Sequence, residues 1–259
     1  MFGLTKQHAL TRVLEVTHYT NRLFSFKVCR PVKFKFRAGE FVMVGLIIKG
    51  KPVFRAYSIC SPSWKRELEF YSIKVPNGPL TSYLQKISTR NAVIFKAKAT
   101  GTLLLKALKP GRRLFLLCTG TGFAPFASVL FDPEAYESFE EVIVVLTCRY
   151  AAELQYLKHK IAQLAQQPEV RAMVWGKARF YMATTRDTYP FTGRITRLIA
   201  SGVLAADLGG EPLNADDRFM VCGSQAMIRD VTALLRALGY KEGDVSKPQS
   251  FVYEKAFVS

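Results

Sequence analysis

Apolar and polar positions follow one rhythm over roughly the first hundred residues and a different one thereafter. The first stretch holds short runs rich in β-branched and aromatic residues: Val13-Leu14-Glu15-Val16-Thr17, Leu23-Phe24-Ser25-Phe26-Lys27-Val28, Phe41-Val42-Met43-Val44-Gly45-Leu46 and Leu68-Glu69-Phe70-Tyr71-Ser72-Ile73-Lys74-Val75. Turn signals such as Arg37-Ala38-Gly39-Glu40, Lys49-Gly50-Lys51-Pro52 and Pro76-Asn77-Gly78-Pro79 separate them, so each run reads as a strand. Their even spacing predicts an antiparallel β-barrel, with one short helix over residues 80–87.

After Lys109-Pro110-Gly111 the pattern changes. Arg113-Leu114-Phe115-Leu116-Leu117-Cys118 and Glu141-Val142-Ile143-Val144-Val145-Leu146-Thr147 are nearly continuous apolar runs, the signature of strands covered on both faces. Arg179-Phe180-Tyr181-Met182-Ala183 and Arg218-Phe219-Met220-Val221-Cys222 are shorter candidates, and helical spacing alternates with them over 152–166 and 225–238. The expectation is two domains: a barrel over 1–104 and an α/β unit with a parallel sheet over 105–259.

Composition narrows the function classes. A 49% hydrophobic content over 259 residues is ample for packed cores. No apolar run reaches the roughly 18–20 residues that span a bilayer, and the N-terminus lacks a basic-then-apolar leader, which points to a soluble, cytoplasmic protein. The net charge is +17, and residues 1–100 hold 18 Lys and Arg against four Glu. That asymmetry points to an anionic partner for the first module: nucleic acid, acidic lipid or an acidic protein. Cys29, Cys60, Cys118, Cys148 and Cys222 form no C-x-x-C pair, and only His8, His18 and His159 accompany them. The spacing suits neither zinc nor an iron–sulfur centre and instead predicts buried thiols.

Ligands of an open parallel sheet bind beyond the carboxyl ends of its strands. The first strand there ends in Thr119-Gly120-Thr121-Gly122-Phe123-Ala124-Pro125, whose glycines permit a tight turn and a close approach to a phosphate, although Pro125 breaks the full dinucleotide fingerprint. The next ends in Cys148-Arg149 and the third in Thr184-Thr185-Arg186; Gly193-Arg194 and Cys222-Gly223-Ser224 follow. Three arginines at one sheet edge suit a phosphate. In the first module, Arg55-Ala56-Tyr57-Ser58 combines a guanidinium, a stacking ring and a hydroxyl, as a planar anionic ligand requires. Gly78-Pro79-Leu80-Thr81-Ser82 could set hydroxyls and helix N–H groups on a second phosphate oxygen.

Taken in order, these segments and the terminal Glu254-Lys255-Ala256-Phe257-Val258 resemble the bacterial ferredoxin/flavodoxin–NADP(H) reductase family across nearly the whole chain. The resemblance implies an FAD-binding barrel followed by an NADP-binding α/β domain whose tail returns to the flavin. By the same resemblance, Arg55 would pair with the FAD pyrophosphate beside FAD-binding Ala56, Tyr57 would stack on the isoalloxazine, and the Ser58 hydroxyl would sit near the atom that accepts hydride. Tyr71, Lys74, Pro79, Leu80, Thr81, Thr121, Ala256 and Phe257 would complete the flavin site, with Glu254 as a proton-relay or positioning residue. Gly120, Gly122, Cys148, Arg149, Thr185, Arg186, Arg194, Gly223, Ser224 and Asp230 would form the NADP(H) site, the arginines holding the 2′-phosphate.

The family's tail often runs several residues past Phe257, whereas this sequence stops at Ser259. The implied activity is electron transfer between NADPH and an acidic ferredoxin or flavodoxin docking on the basic barrel of a monomer, with no metal, membrane or nucleic acid. Two other readings stand beside it. One is a related reductase that serves an oxygenase or free flavin; the other is a basic barrel that stacks nucleic-acid bases on Tyr71 and Phe36.

Overall fold

The computed structural model describes residues 8–254. Six strands form the first sheet: β1 (His8–His18), β2 (Leu23–Cys29), β3 (Phe41–Ile48), β4 (Lys51–Ser58), β5 (Glu67–Ile73) and β6 (Ala92–Lys96). They are antiparallel in the order β4-β3-β6-β1-β2-β5. A bridge between Ile59, just past β4, and Phe70 of β5 joins the two edges, so the sheet curls into a closed barrel. Inward residues of alternate strand positions, among them Phe24, Phe26, Val42, Val44, Phe70 and Phe95, fill it. Between β5 and β6 lies α1 (Thr81–Leu84), shorter than the helix expected over 80–87.

The second sheet holds β7 (Arg113–Thr119), β8 (Glu141–Cys148), β9 (Ala178–Thr184), β10 (Phe191–Thr192), β11 (Asp217–Cys222) and β12 (Phe251–Tyr253). It is parallel, in the order β10-β9-β8-β7-β11-β12. Helices cover both of its faces: α2 (Ala124–Val129), α3 (Pro133–Ser138), α4 (Gln155–Gln166), α5 (Pro168–Val174), α6 (Ile195–Ala200), α7 (Val203–Asp207) and α8 (Gln225–Ala237). This layering explains the continuous apolar runs. Leu114, Leu116 and Cys118 face one core with Val142, Val144 and Leu146, while Phe115 and Leu117 face the other with Ile143 and Val145.

The barrel and the α/β layer share one core. Leu23, Cys60, Tyr71 and Leu103 from the barrel side pack in the same cluster as Leu116, Phe123 and Tyr156. Polar contacts cross the same boundary. Lys160 Nζ of α4 lies 2.5 Å from Glu69 Oε2 of β5, and the Tyr156 hydroxyl donates to Glu69 Oε1 at 2.9 Å. The Gly39 N–H donates to Ser128 Oγ of α2 at 3.0 Å. Among the described residues, no helix is long and apolar enough to cross a membrane.

Candidate functional site

The strand order reverses between β7 and β11, which places a crevice at their carboxyl ends. Glycine makes that crevice possible in two ways. Gly120 has φ +53°, a left-handed conformation that turns the chain straight off β7. Gly122 packs so closely that a Cβ on it would lie 2.3 Å from the Cys222 carbonyl oxygen and 2.7 Å from Gly223 Cα. The second glycine therefore serves loop-against-loop packing as well as lining the cleft. On the other side of the crevice, Ser224 caps α8 by accepting from the Met227 N–H at 3.3 Å, leaving the start of that helix at the cleft wall.

The crevice opens into a cleft of about 1470 Å³ that runs from this sheet edge onto the barrel. Its barrel wall includes Arg55, Ala56, Tyr57, Ser58, Tyr71, Pro79, Leu80 and Thr81. Its α/β wall includes Gly120, Thr121, Gly122, Cys148, Arg149, Thr185, Arg186, Arg194, Gly223, Ser224 and Asp230. Residues from eight loops and strand ends thus meet around one space, as the sequence reading expected. Lys74 does not line the cleft. Its backbone N–H donates to the Arg22 carbonyl at 2.7 Å, and Arg22 lines the cleft instead.

Glu254 lies behind the wall. It is fully buried and follows β12; Thr102 Oγ1 donates to the Tyr253 carbonyl at 2.7 Å and reaches Glu254 Oε1 at 3.5 Å. Ala256 and Phe257 fall outside the described residues.

The barrel wall carries an unmet bonding capacity. Ser58 Oγ is buried and has no hydrogen-bond partner among the described residues. Leaving a hydroxyl so costs about 1–3 kcal/mol, so the group is set for a ligand atom. Beside it, Tyr57 is nearly buried, its hydroxyl accepting from Ser72 Oγ at 3.4 Å, and burial raises its pKa. Tyr71 stacks on Tyr156 at 4.0 Å with 15° between planes, which fixes one face of its ring. Burial pushes its phenol far above the ordinary value, so it is neutral at any physiological pH.

The Thr81 and Ser82 hydroxyls donate to the Val75 and Gly78 carbonyls, bonds with which a phosphate oxygen would compete, while Thr81 lines the cleft. One expectation fails locally. Cys29 is only half-buried, unlike the other four thiols.

At the α/β end the wall is cationic. Arg149, Arg186 and Arg194 are exposed, and the ion pairs among the described residues leave their guanidinium groups uncommitted. Cys148 lines the same region, but burial pushes its thiol up to about 12, which leaves it neutral and unreactive. Sequence reasoning missed Arg22, Ser72, Thr119, Thr147, Glu153 and Met227, all in the wall. Thr119 ends β7 and Thr147 is the next-to-last residue of β8, and the strand-end rule applied to whole tripeptides finds them.

The donor set fits a long dinucleotide at each end. An orphan hydroxyl beside aromatic rings faces one end, and free guanidinium groups and a helix start face the other. Comparison with known proteins agrees with this division. The oxidoreductase FAD-binding domain family matches residues 7–103, and the oxidoreductase NAD-binding domain family matches residues 116–233.

A flavodoxin/ferredoxin–NADP reductase of Rhodobacter capsulatus is 52% identical over 248 residues, covering 95% of this chain and 92% of that protein. The ferredoxin–NADP reductase A of Sorangium cellulosum is 47% identical over 246 residues, covering 95% and 88%. Among solved structures, a ferredoxin NADP+ reductase from Neisseria gonorrhoeae with bound FAD and NADP superposes with a TM-score of 0.87 at 28% identity, covering 96% of this chain and 99% of that one.

Proposed function

This chain belongs to the flavodoxin/ferredoxin–NADP reductase family, and from that premise we infer how its cleft transfers electrons between NADPH and a ferredoxin or flavodoxin through FAD. One observation carries the reading: the orphan Ser58 hydroxyl and the three uncommitted arginines line a single continuous cleft. Bound FAD supplies the conversion between two-electron and one-electron transfer, which no side chain can provide.

The chain's own residues bind, orient and shield. Arg55 and Ala56 would hold the FAD pyrophosphate, and Tyr57 would stack on the flavin ring, with Tyr71, Pro79, Leu80 and Thr121 closing its edges. Ser58 Oγ would hydrogen-bond the ring nitrogen that takes the hydride, which answers its missing partner. Arg149, Arg186 and Arg194 would clamp the 2′-phosphate of NADPH, a group that NADH lacks. The α8 start at Gly223 and Ser224, with Asp230 nearly two turns on, would receive the rest of the nucleotide. Glu254, held behind cleft-lining Cys222, is the positioning carboxylate of the flavin side.

The proposed domain division falls at 104/105, before a 3-10 turn at Leu105–Ala107. We assign the carrier to the barrel's basic face, where Lys33, Lys35, Lys65 and Arg66 are exposed. Acidic carriers would be steered there, and the protein would act as a cytoplasmic monomer without nucleic acid or membrane. The test is reduction of ferredoxin and flavodoxin by NADPH, across salt, beside a small neutral acceptor. Carrier reduction should slow steeply with salt and the neutral acceptor should not. If the flavin turns over but neither carrier accepts electrons, the carrier assignment falls and an oxygenase- or flavin-serving reductase takes its place.

A further inference from the structure

The arginines expected to read the 2′-phosphate sit on exposed loops, where free side chains lose much of their binding energy to ordering. Here the two loops are stitched together. The registered pairing of β8 with β9 ends at Cys148 and Thr184. Beyond it the ladder continues: the Thr185 N–H donates to the Cys148 carbonyl at 2.9 Å and the Arg186 N–H to the Arg149 carbonyl at 3.0 Å. One step further, the Ala151 N–H donates to Asp187 Oδ2 at 2.6 Å, a side chain from the second loop capping the backbone of the first.

Asp187 is itself held, because Thr184 Oγ1 donates to its carbonyl at 2.7 Å. From the first loop's own side, Glu153 Oε2 accepts the Arg149 and Tyr150 N–H groups at 2.9 and 3.4 Å. Both carboxylates therefore spend their charge on amides that flank arginines, and neither forms an ion pair with Arg149 or Arg186 among the described residues.

We propose that Asp187, supported by Glu153, is a positioning residue for cofactor choice: it fixes the Arg149 and Arg186 loops at the separation that grips a 2′-phosphate. The inference rests on the NADP(H) reading of this end of the cleft. An acid this close to a phosphate site would by charge alone weaken NADPH binding, so a positioning role and a mere charge make opposite predictions.

The test measures kcat and KM for NADPH and NADH in the FAD-loaded enzyme. Asp187→Ala should raise the KM for NADPH roughly tenfold, the equivalent of one lost charge-assisted hydrogen bond, with kcat and the KM for NADH little changed. Ala151→Pro cuts the same bond from the donor side without touching charge. Position 151 is the first residue of its helical turn and Tyr150 before it is extended, so proline fits there. It should match Asp187→Ala.

Asp187→Asn keeps an acceptor oxygen and should stay near wild type. Equal loss with Asp187→Asn, a rise in both KM values together, or tighter NADPH binding in Asp187→Ala would overturn the proposal. Arg186→Ala is the benchmark. If it abolishes the NADPH preference and Asp187→Ala does not, the positioning role alone falls; if it leaves the preference intact, the arginine reading falls and takes this inference with it.

Discussion

Replacing Lys160 with Met tests what joins the barrel to the α/β layer. Lys160 is 2% exposed and Glu69 is 4% exposed, and their charged atoms lie 2.5 Å apart. Without the ammonium, the Glu69 carboxylate keeps the Tyr156 hydroxyl and is otherwise stranded in a core shared by both layers. Breaking a buried pair from one side costs about 3–5 kcal/mol, far more than the pair's net worth, because a charge stays buried alone. With an m-value of about 3 kcal/mol/M, the urea midpoint should fall by more than about 1 M.

The Glu69→Gln/Lys160→Met double variant should recover most of that loss. The introduced amide can still accept from Tyr156, and Gln163 Oε1, which the ammonium now reaches at 3.1 Å, is free to receive it. Both variants are unfolded in urea at saturating FAD, since ligand linkage would otherwise blur the comparison. A single-variant loss below about 1 kcal/mol, or a double variant no better than the single, refutes the reasoning. The cofactor readout follows from the stack. Tyr71 in the cleft rests on Tyr156, so loosening this joint should alter the near-ultraviolet circular dichroism of the bound flavin.

Ser58→Ala should slow flavin reduction by NADPH about tenfold while leaving the apoprotein as stable or up to about 1 kcal/mol more stable, since it removes an unsatisfied buried hydroxyl; stopped-flow absorbance and urea melts give both numbers. An unchanged rate would remove Ser58 from the reacting end. The thiols set a pH window. Burial raises Cys60 and Cys148 to about 12, against about 8.5 for an exposed thiol. Above that lower value the unfolded chain loses protons the folded chain keeps, so this contribution to stability is full below about pH 8.5 and fades toward about pH 12. The slope of Tm against pH over that window should be shallower in the Cys60→Ala/Cys148→Ala variant; an equal slope would contradict the buried-thiol account.

The sequence showed what depends on local pattern. Strands β7 and β8 were legible because helices cover both faces, and the cleft loops because each follows a strand end. Strands β10 and β12, at two and three residues, exist only by pairing with longer neighbours and leave no pattern of their own. The bonds of the Thr81 and Ser82 hydroxyls to nearby carbonyls left no trace in the sequence pattern. The joint at Glu69 was invisible for a different reason: its partners lie 87 and 91 positions away, and a Glu in a mostly apolar strand does not announce a buried lysine.

A single cleft should hold FAD against NADPH. Anaerobic titration of the purified protein with NADPH tests it most directly. The expected result is one tightly held FAD per chain, a yellow protein, and bleaching of the flavin band complete at one NADPH per flavin, with NADH far less effective. A protein that neither carries nor takes up FAD, or whose flavin NADPH leaves oxidised, would contradict it.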